Sequence, residues 1–236
     1  MAQFTLTDGQ DPFLHVHLNK NEIIYSESNS MVMMDATLDL EGKMQGGFFN
    51  SLMRRTANDN SFFRQQIKAV RGEGDVLLSQ RLPGSLHILN VDQNNTYNLN
   101  DGVFLACEEH VDTTVKSQGI GNSLFGSTGG FFITRASGHG KLVVGGFGDI
   151  FEIEVQPGSD IIIDNNHVVA WDEKLNYNIS ISTSKGKGFF GNLLNSQLSG
   201  EAMVTRFSGK GKVYICSRNK LDFAAWVSSL IIKEKR

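Results

Sequence analysis

His15 and His17 lie two residues apart in the segment FLHVHL, and imidazole is a common ligand of transition metals. Residues i and i+2 of a strand point to the same face, so both rings could reach one metal ion. Zinc or iron would need at least one further ligand, which the sequence does not indicate. An exposed polar strand face explains the same pattern, so we expect no bound metal and no cofactor.

Three acidic residues each end a short apolar run: Asp35 after MVMM, Glu108 after VFLAC and Asp172 after VVAW. Carboxylates that converged around an axis could bind a cation or raise one another's pKa. The alternative, which we favour, is that each acid marks the end of a strand and faces solvent. No serine, cysteine or lysine lies in a recognised nucleophile motif, so we expect no enzyme activity.

Glycine pairs precede apolar runs in three segments, RGEGDVLL, SGHGKLVV and SGKGKVYI. A phosphate-binding loop would need a helix after the glycines, whereas the residues that follow here are typical of strands. The segment GKGFFG at 186–191 also matches the dinucleotide fingerprint, but that site requires a strand–helix–strand unit. We therefore interpret the glycines as tight turns or bulges and expect no bound nucleotide.

The glycine phrase closes each of three internal repeats. Residues 83–111 align with residues 147–175 without a gap at an offset of 64, and residues 12–38 follow the same pattern. Apolar and polar residues alternate at the start of each copy, as in FEIEV, and a period of two predicts half-buried strands. We expect one all-β domain with a pseudo-threefold arrangement of β-sandwich or double-stranded β-helix-like repeats. The expected boundaries are 8–81, 82–147 and 148–218 for the repeats and 219–236 for a C-terminal helical segment.

The chain ends in NKLDFAAWVSSLIIKEKR, which predicts a helix from about 219 to 232. Asn219 is suited to the N-cap, and Asp222 lies in the first turn, where the helix dipole favours negative charge. The predicted apolar stripe of this helix consists of Leu221, Ala225, Leu230 and Ile231.

A second repeated element, FFNSLM, IGNSLF or FFGNLL, starts at residues 48, 120 and 189. Its apolar residues fall at i, i+4 and i+5, which predicts a short helical turn between strands. These turns either pack on the core or at a subunit interface, or they form a patch that touches a membrane surface or a protein partner. The candidate patch consists of Phe48, Phe49, Leu52, Arg54, Arg55, Leu124, Phe125, Phe189, Phe190, Leu193 and Leu194.

The composition excludes several function classes. The net charge of −3 and the pI near 6.1 give no overall attraction to DNA, to RNA or to an anionic membrane, although Lys185 and Lys187 adjoin Phe189. The start of the chain lacks the features of a secretory signal, and no apolar run is long enough to span a membrane. Cys107 and Cys216 are interpreted as small buried hydrophobic residues rather than a disulfide. We expect a cytoplasmic protein.

The segments DNNHVVAWD, GGFFNSLMRR and GKGFFGNLLNSQLSGEAMVTRFSGKGKVYICSR occur together. In this combination the chain resembles the bacterial family related to the altered-inheritance-of-mitochondria protein, member twenty-four, from about residue 13 to the C-terminal helix. The resemblance implies a fold similar to three fused copies of the β unit of the tryptophan RNA-binding attenuation protein, assembled into a ring of three chains. It implies no reaction and no catalytic residues. The mitochondrial relatives are tied to inner-membrane organisation, which suggests a membrane link by analogy alone.

Together these observations predict a non-enzymatic, ring-forming scaffold or interaction protein, with membrane association as one form of that role. The alternative is a protein that binds a small ligand or RNA in grooves between its repeats. A homotrimer is the expected assembly, because exposed strand edges would otherwise promote aggregation.

Overall fold

The computed structural model describes residues 1–43, 64–117, 132–181 and 203–230 of the chain. These residues form antiparallel strands and a C-terminal helix. The N-terminal strand is β1 (Gln3–Leu6). The first unit contains β2 (Leu14–Leu18), β3 (Ile23–Glu27), β4 (Met31–Met34), β5 (Leu38–Lys43), β6 (Arg64–Ala69) and β7 (Gly74–Leu78). The second contains β8 (Leu86–Val91), β9 (Tyr97–Leu99), β10 (Phe104–Glu108), β11 (Val111–Ser117), β12 (Phe132–Gly138) and β13 (Gly140–Gly145). The third contains β14 (Ile150–Val155), β15 (Ile161–Asp164), β16 (Val168–Asp172), β17 (Asn176–Ile181), β18 (Met203–Ser208) and β19 (Gly211–Cys216), with a 3₁₀ turn at Asn165–His167.

Each unit pairs its six strands in the same way. The first, sixth and third strands form one antiparallel triplet, and the second, fifth and fourth strands form another. We call these the first triplet and the second triplet of a unit. The first triplets are β2-β7-β4, β8-β13-β10 and β14-β19-β16; the second triplets are β3-β6-β5, β9-β12-β11 and β15-β18-β17.

Neighbouring units are joined by continuous sheets. Strand β10 of the second unit pairs with β3 of the first, and β16 of the third unit pairs with β9 of the second. Each of these two joints merges a first and a second triplet into a six-stranded sheet. The three units are therefore parts of continuous sheets rather than separate bodies.

Alternation along the strands builds the hydrophobic core. In β2 the side chains of Leu14, Val16 and Leu18 are fully buried, while His15 and His17 point to the other face. The first core cluster also contains Leu105 and Val143 of the second unit, so it crosses the joint between units. Burial of each such side chain contributes about 1.5–3 kcal/mol, so most of the stabilisation lies in these shared cores.

The helix α1 spans Lys220–Leu230. The Leu221 amide donates a hydrogen bond to Asn219 Oδ1 (2.8 Å), which confirms the predicted N-cap. The all-β class with a C-terminal helix is therefore confirmed, and both cysteines are free and buried, as predicted. Ile231 lies beyond the described part of the helix, and the predicted stripe is not buried, since Leu221 and Leu230 are both exposed.

Candidate functional site

The recurring acids and the recurring glycine phrases are partners of one another. In each unit, the acid at the end of the third strand accepts a hydrogen bond from the backbone amide that follows the second glycine. The pairs are Asp35 Oδ2 with the Asp75 amide (2.9 Å), Glu108 Oε2 with the Lys141 amide (2.6 Å) and Asp172 Oδ2 with the Lys212 amide (2.9 Å). Each carboxylate therefore ties the end of its strand to the start of the sixth strand of the same unit.

In the second and third units, the second glycine of the phrase permits this contact. A Cβ at Gly140 would lie 2.7 Å from Glu108 Oε2, and a Cβ at Gly211 would lie 2.8 Å from Asp172 Oδ2. Gly140 also has a φ of +133°, which side chains with a Cβ rarely adopt. The glycines lie in or beside the tight turn between the fifth and sixth strands of each unit, and at Gly140 and Gly211 they also let a carboxylate approach the backbone.

The three carboxylates serve separate units and do not form a cation site. Across residues 1–43, 64–117, 132–181 and 203–230, no group of three histidine, cysteine, aspartate or glutamate side chains is arranged to hold a metal ion. The expectation that each acid faces solvent is wrong for Asp172, which is buried, and holds for Asp35. A buried carboxylate is tolerated at this position because the Lys212 amide satisfies it and Lys174 Nζ lies 3.5 Å away.

His15 and His17 share one carboxylate that the sequence did not indicate. His15 Nε2 and His17 Nδ1 donate to the same oxygen, Asp75 Oδ1, over 2.8 Å and 3.0 Å. The register of β2 with β7 places His17 directly opposite Asp75. All three side chains are about one-third exposed. The prediction of simply exposed histidines is therefore incomplete, because the pair is tied to the adjacent strand.

The hydrogen bonds from His15 and then His17 lower the pKa of Asp75 below its usual range. The signal for Asp75 was present in the sequence. The phrase RGEGD has an acid where the other two copies have Lys141 and Lys212. The acid occurs only in the repeat that also carries His15 and His17, which indicates that Asp75 pairs with these histidines. An alignment of the three repeats with gaps would have shown this.

Basic side chains on the β units are interleaved with acids. Arg135 Nε donates to Glu173 Oε1 (2.6 Å), and Lys212 Nζ lies 2.8 Å from Glu152 Oε1. These contacts lower the pKa of both glutamates, chiefly through the hydrogen bonds from Arg135 and Lys212. RNA binding requires a continuous positive stripe, and such pairs interrupt it on the surface that the structure describes.

The helix α1 presents an apolar stripe to solvent. Every residue of Lys220–Leu230 is exposed, including Trp226 at 58% and Leu230 at 60%. Phe223, Trp226, Val227 and Leu230 follow the i, i+3, i+4, i+7 spacing of one helix face. Phe223 packs edge-to-face on Phe147 at 5.1 Å between ring centroids, and this contact anchors the start of the helix to the β body. The remainder of the stripe has no cover within the described structure.

The predicted patch in the FFNSLM-type segments lies outside the described residues. This holds for all of its members, at 48–55, 124–125 and 189–194, and also for the motif GKGFFG. The patch therefore stays a prediction, and α1 carries an exposed apolar stripe within the described residues. Sequence reasoning treated this helix as a regular amphipathic element and missed that most of its apolar face is exposed in the described structure.

The fold and these features define a class: an all-β protein of three like units joined by shared sheets, with a C-terminal helix. The profile of the family described as Mitochondrial biogenesis AIM24 matches residues 4–218, and the chain belongs to this family. The resemblance noted from the sequence motifs is thereby confirmed.

Two relatives come from one bacterial species. An uncharacterised protein of Streptococcus pyogenes serotype M6 is 32% identical over 221 residues, which cover 91% of this chain and 85% of that protein. The X-ray crystal structure of a Streptococcus pyogenes protein matches with a TM-score of 0.78 and 29% identity. It covers 98% of this chain and 100% of the other. These comparisons establish family and fold and carry no biochemical role.

None of the helices within the described residues has the length and apolar content needed to cross a membrane.

Proposed function

We propose that this protein is a non-enzymatic interaction protein that binds the surface of an anionic membrane through α1. The observation that carries the proposal is the exposed apolar stripe of α1, in which Trp226, Val227 and Leu230 have no cover within the described residues, while Phe223 packs on Phe147. Burial of each large apolar side chain is worth about 1.5–3 kcal/mol, so three such side chains without cover favour association.

The chemistry of the helix and of the residues after it favours a lipid surface. A Trp and a Phe lie on the same face, and aromatic rings of this kind reside at the boundary between headgroups and acyl chains. The sequence continues with Ile231 and Ile232 and then with Lys233, Glu234, Lys235 and Arg236, a basic end that anionic headgroups attract. An 11-residue helix is about 16 Å long, so it would lie in the interface rather than cross it.

The surroundings of Cys107 and of the two histidines support a role without catalysis. Burial raises the pKa of the Cys107 thiol to about 11, so this sulfur stays protonated and is a poor nucleophile. The histidine pair His15 and His17 is committed to Asp75, and that cluster has no serine or cysteine nucleophile among its hydrogen-bond partners.

Vesicle flotation tests this proposal. We expect the protein to float with vesicles that contain phosphatidylglycerol, and to remain at the bottom with vesicles of phosphatidylcholine alone. The variant Trp226→Ser with Leu230→Ser should lose at least tenfold in vesicle affinity. Ile162→Ser is the matched control, because Ile162 is similarly exposed but lies on β15 rather than on the helix.

Two results would contradict the proposal. If the wild-type protein ignores anionic vesicles, lipid is not the partner. If the helix variant binds vesicles as tightly as the wild type, α1 is not the contact. A third result would redirect it. If the protein does not bind vesicles but binds a partner protein, and a peptide of the α1 sequence competes for that partner, then α1 binds a groove of a protein instead of lipid.

A further inference from the structure

An open cavity of about 400 Å³ lies at the start of α1, between the helix and the segment that joins the second and third units. Ligand cavities have volumes of about 300–1,000 Å³, so this one is large enough for a small polar group rather than for a whole lipid. The side chains around it are aromatic or charged, with one polar exception: Phe147, Arg218, Asn219, Asp222, Phe223 and Trp226.

Three aromatic rings form one wall of the cavity. Phe147 and Phe223 pack edge-to-face, and the rings of Phe223 and Trp226 follow with centroids 5.9 Å apart and planes inclined by 35°. Faces of aromatic rings attract cations, and a wall of this kind suits an ammonium group. Trp226 also belongs to the exposed stripe of α1, so the cavity and the stripe are continuous.

Arg218 and Asp222 bring opposite charges to the same cavity without neutralising each other. Among the described residues neither side chain forms an ion pair. Four other arginines of the described structure each pair with an aspartate or a glutamate: Arg71, Arg81, Arg135 and Arg206. A guanidinium and a carboxylate that line one cavity without a partner are complementary to a ligand that carries both charges.

We propose that this cavity binds the headgroup of phosphatidylethanolamine, with the phosphate on the Arg218 guanidinium and the ammonium on the Asp222 carboxylate. The planar guanidinium can donate two parallel hydrogen bonds to a phosphate. The ammonium has three N–H donors for the carboxylate and stands against the ring faces of Phe223 and Trp226. This inference rests on the membrane binding of α1 proposed above, and it adds the identity of a headgroup.

The two charged groups come from separate elements. The Arg218 amide donates to the Phe147 carbonyl oxygen (3.1 Å), which ties Arg218 to the strand body. Its side chain passes close to Gly148, where a Cβ would lie 2.9 Å from Arg218 Cγ. Asp222 belongs to the first turn of α1. A headgroup held by both residues therefore bridges the strands and the helix.

Asp222 selects among phospholipid headgroups. Phosphatidylglycerol has no cation for this carboxylate, and the quaternary ammonium of phosphatidylcholine has no N–H to donate to it. Ethanolamine supplies both the charge and the donors. The acyl chains of the bound lipid stay in the bilayer beside Trp226, Val227 and Leu230, which the proposed membrane contact already places there.

Flotation with two sets of vesicles tests the headgroup. Both sets contain the same fraction of phosphatidylglycerol, and the remainder is phosphatidylcholine in one and phosphatidylethanolamine in the other. The wild-type protein should bind the ethanolamine set about fivefold more tightly, which is the value of one modest charge-assisted contact. Asp222→Asn and Arg218→Gln should each bind the two sets equally within about twofold.

Matched variants separate this contact from a general effect of the bilayer. Asp101→Asn and Lys210→Gln make the same changes of charge at exposed residues of the turns before β10 and β19, and both should keep the fivefold preference. Phosphatidylethanolamine also changes the packing of a bilayer. That change acts equally on every variant, so it cannot produce a difference between Asp222→Asn and Asp101→Asn.

The soluble headgroup tests the same chemistry without a bilayer. O-phosphoethanolamine should change the tryptophan emission of the wild-type protein, because Trp226 lines the cavity whereas Trp171 is buried. Phosphocholine, glycerol 3-phosphate and the variant Asp222→Asn with O-phosphoethanolamine should each show an affinity about fivefold lower.

Three outcomes would overturn the headgroup site. Equal binding of the wild type to both vesicle sets removes it and leaves the membrane contact of α1 in place. A preference that persists in Asp222→Asn assigns the gain to bilayer packing. Binding of O-phosphoethanolamine without any preference among vesicles assigns the cavity to a soluble phosphoamine. If the wild type binds neither vesicle set, the membrane contact itself fails, and the headgroup site fails with it.

Discussion

The two tryptophans of the chain lie in opposite surroundings. Trp171 in β16 is 1% exposed and packs edge-to-face on Tyr177 and Phe207, with ring centroids 5.1 Å and 5.6 Å away. Trp226 in α1 is 58% exposed and contacts only Phe223 among the rings of the described structure. Tryptophan is therefore part of the hydrophobic core in the strands and part of the exposed surface in the helix.

The difference shows that the strands use their apolar side chains to stabilise the fold, whereas the helix leaves its apolar side chains exposed. The strands bury their apolar side chains in cores that are shared between units. The recurring acids accept hydrogen bonds from backbone amides of the same unit. The helix contributes little to that core, since Phe147 is its one aromatic contact with the β body as described. Substitutions in the two regions should therefore change different measurements.

The largest effect is expected for Trp171→Ala. Removal of a fully buried indole leaves a cavity and should reduce the free energy of unfolding by about 3–5 kcal/mol. Trp171→Phe is the control, because it keeps an aromatic ring and removes the indole N–H, which has no hydrogen-bond partner among the described residues. Urea denaturation measures both. A loss below about 1 kcal/mol for the alanine variant would show that the core around β16 is loosely packed.

A smaller loss is expected for Gly140→Ala. The new Cβ would collide with the Glu108 carboxylate, and the φ of +133° would be strained, so we expect a loss of about 1–3 kcal/mol. Gly9→Ala separates the two causes, because Gly9 has a φ of +116° with no atom within 4 Å of a Cβ. Equal losses in the two variants would mean that the carboxylate contact contributes nothing at this position.

The histidine pair should give a modest, pH-dependent effect. Because the folded protein holds the pKa of Asp75 below its usual value, this contribution to stability is complete above the ordinary carboxyl pKa of about 3.9. It is lost as the pH falls through the lowered pKa. The partial exposure of the three side chains limits it to below about 1 kcal/mol. Urea midpoints at neutral and acidic pH should show a smaller acid loss for Asp75→Asn than for the wild type.

The contacts with Asp75 also predict a small effect of the double variant His15→Gln with His17→Gln on the free energy of unfolding. If the two histidines had no partners, the substitutions would leave the free energy of unfolding unchanged. Because both contact Asp75, we expect a small decrease at neutral pH. A stability within about 0.1 kcal/mol of the wild type would show that the contacts with Asp75 have no net value.

The smallest effect on stability is expected for Trp226→Ser. An exposed substitution of this kind should change the free energy of unfolding by less than about 0.5 kcal/mol, although it removes the largest side chain of the stripe. The same variant should bind anionic vesicles more weakly. A large loss of stability instead would place Trp226 in an intramolecular contact and remove the contrast between the two tryptophans.

Local patterns in the sequence determined much of the architecture. Alternation in FLHVHL and FEIEV predicted strands, the glycine phrases predicted turns, and Asn219 predicted the start of the helix. These predictions succeed because strand alternation, turn conformation and helix capping depend on residues within a few positions of one another.

Contacts between distant residues were decided by the tertiary structure. The acids and glycine phrases were both visible as repeats, but their partnership joins residues such as Glu108 and Lys141, 33 positions apart. His15 and Asp75 are 60 positions apart and meet only because β2 pairs with β7. No local pattern specifies which of many turns will present its amide to a given carboxylate.

The sequence also did not predict which of the equivalent strands β4, β10 and β16 are buried. The runs MVMM, VFLAC and VVAW are similarly apolar and end in the same kind of residue, yet β10 and β16 are buried while β4 is exposed. The sequence determined that each run is a strand followed by a carboxylate. Only the tertiary structure decided which of them is covered, because β10 and β16 each pair with a strand of the preceding unit, whereas β4 pairs only with β7 among the described residues.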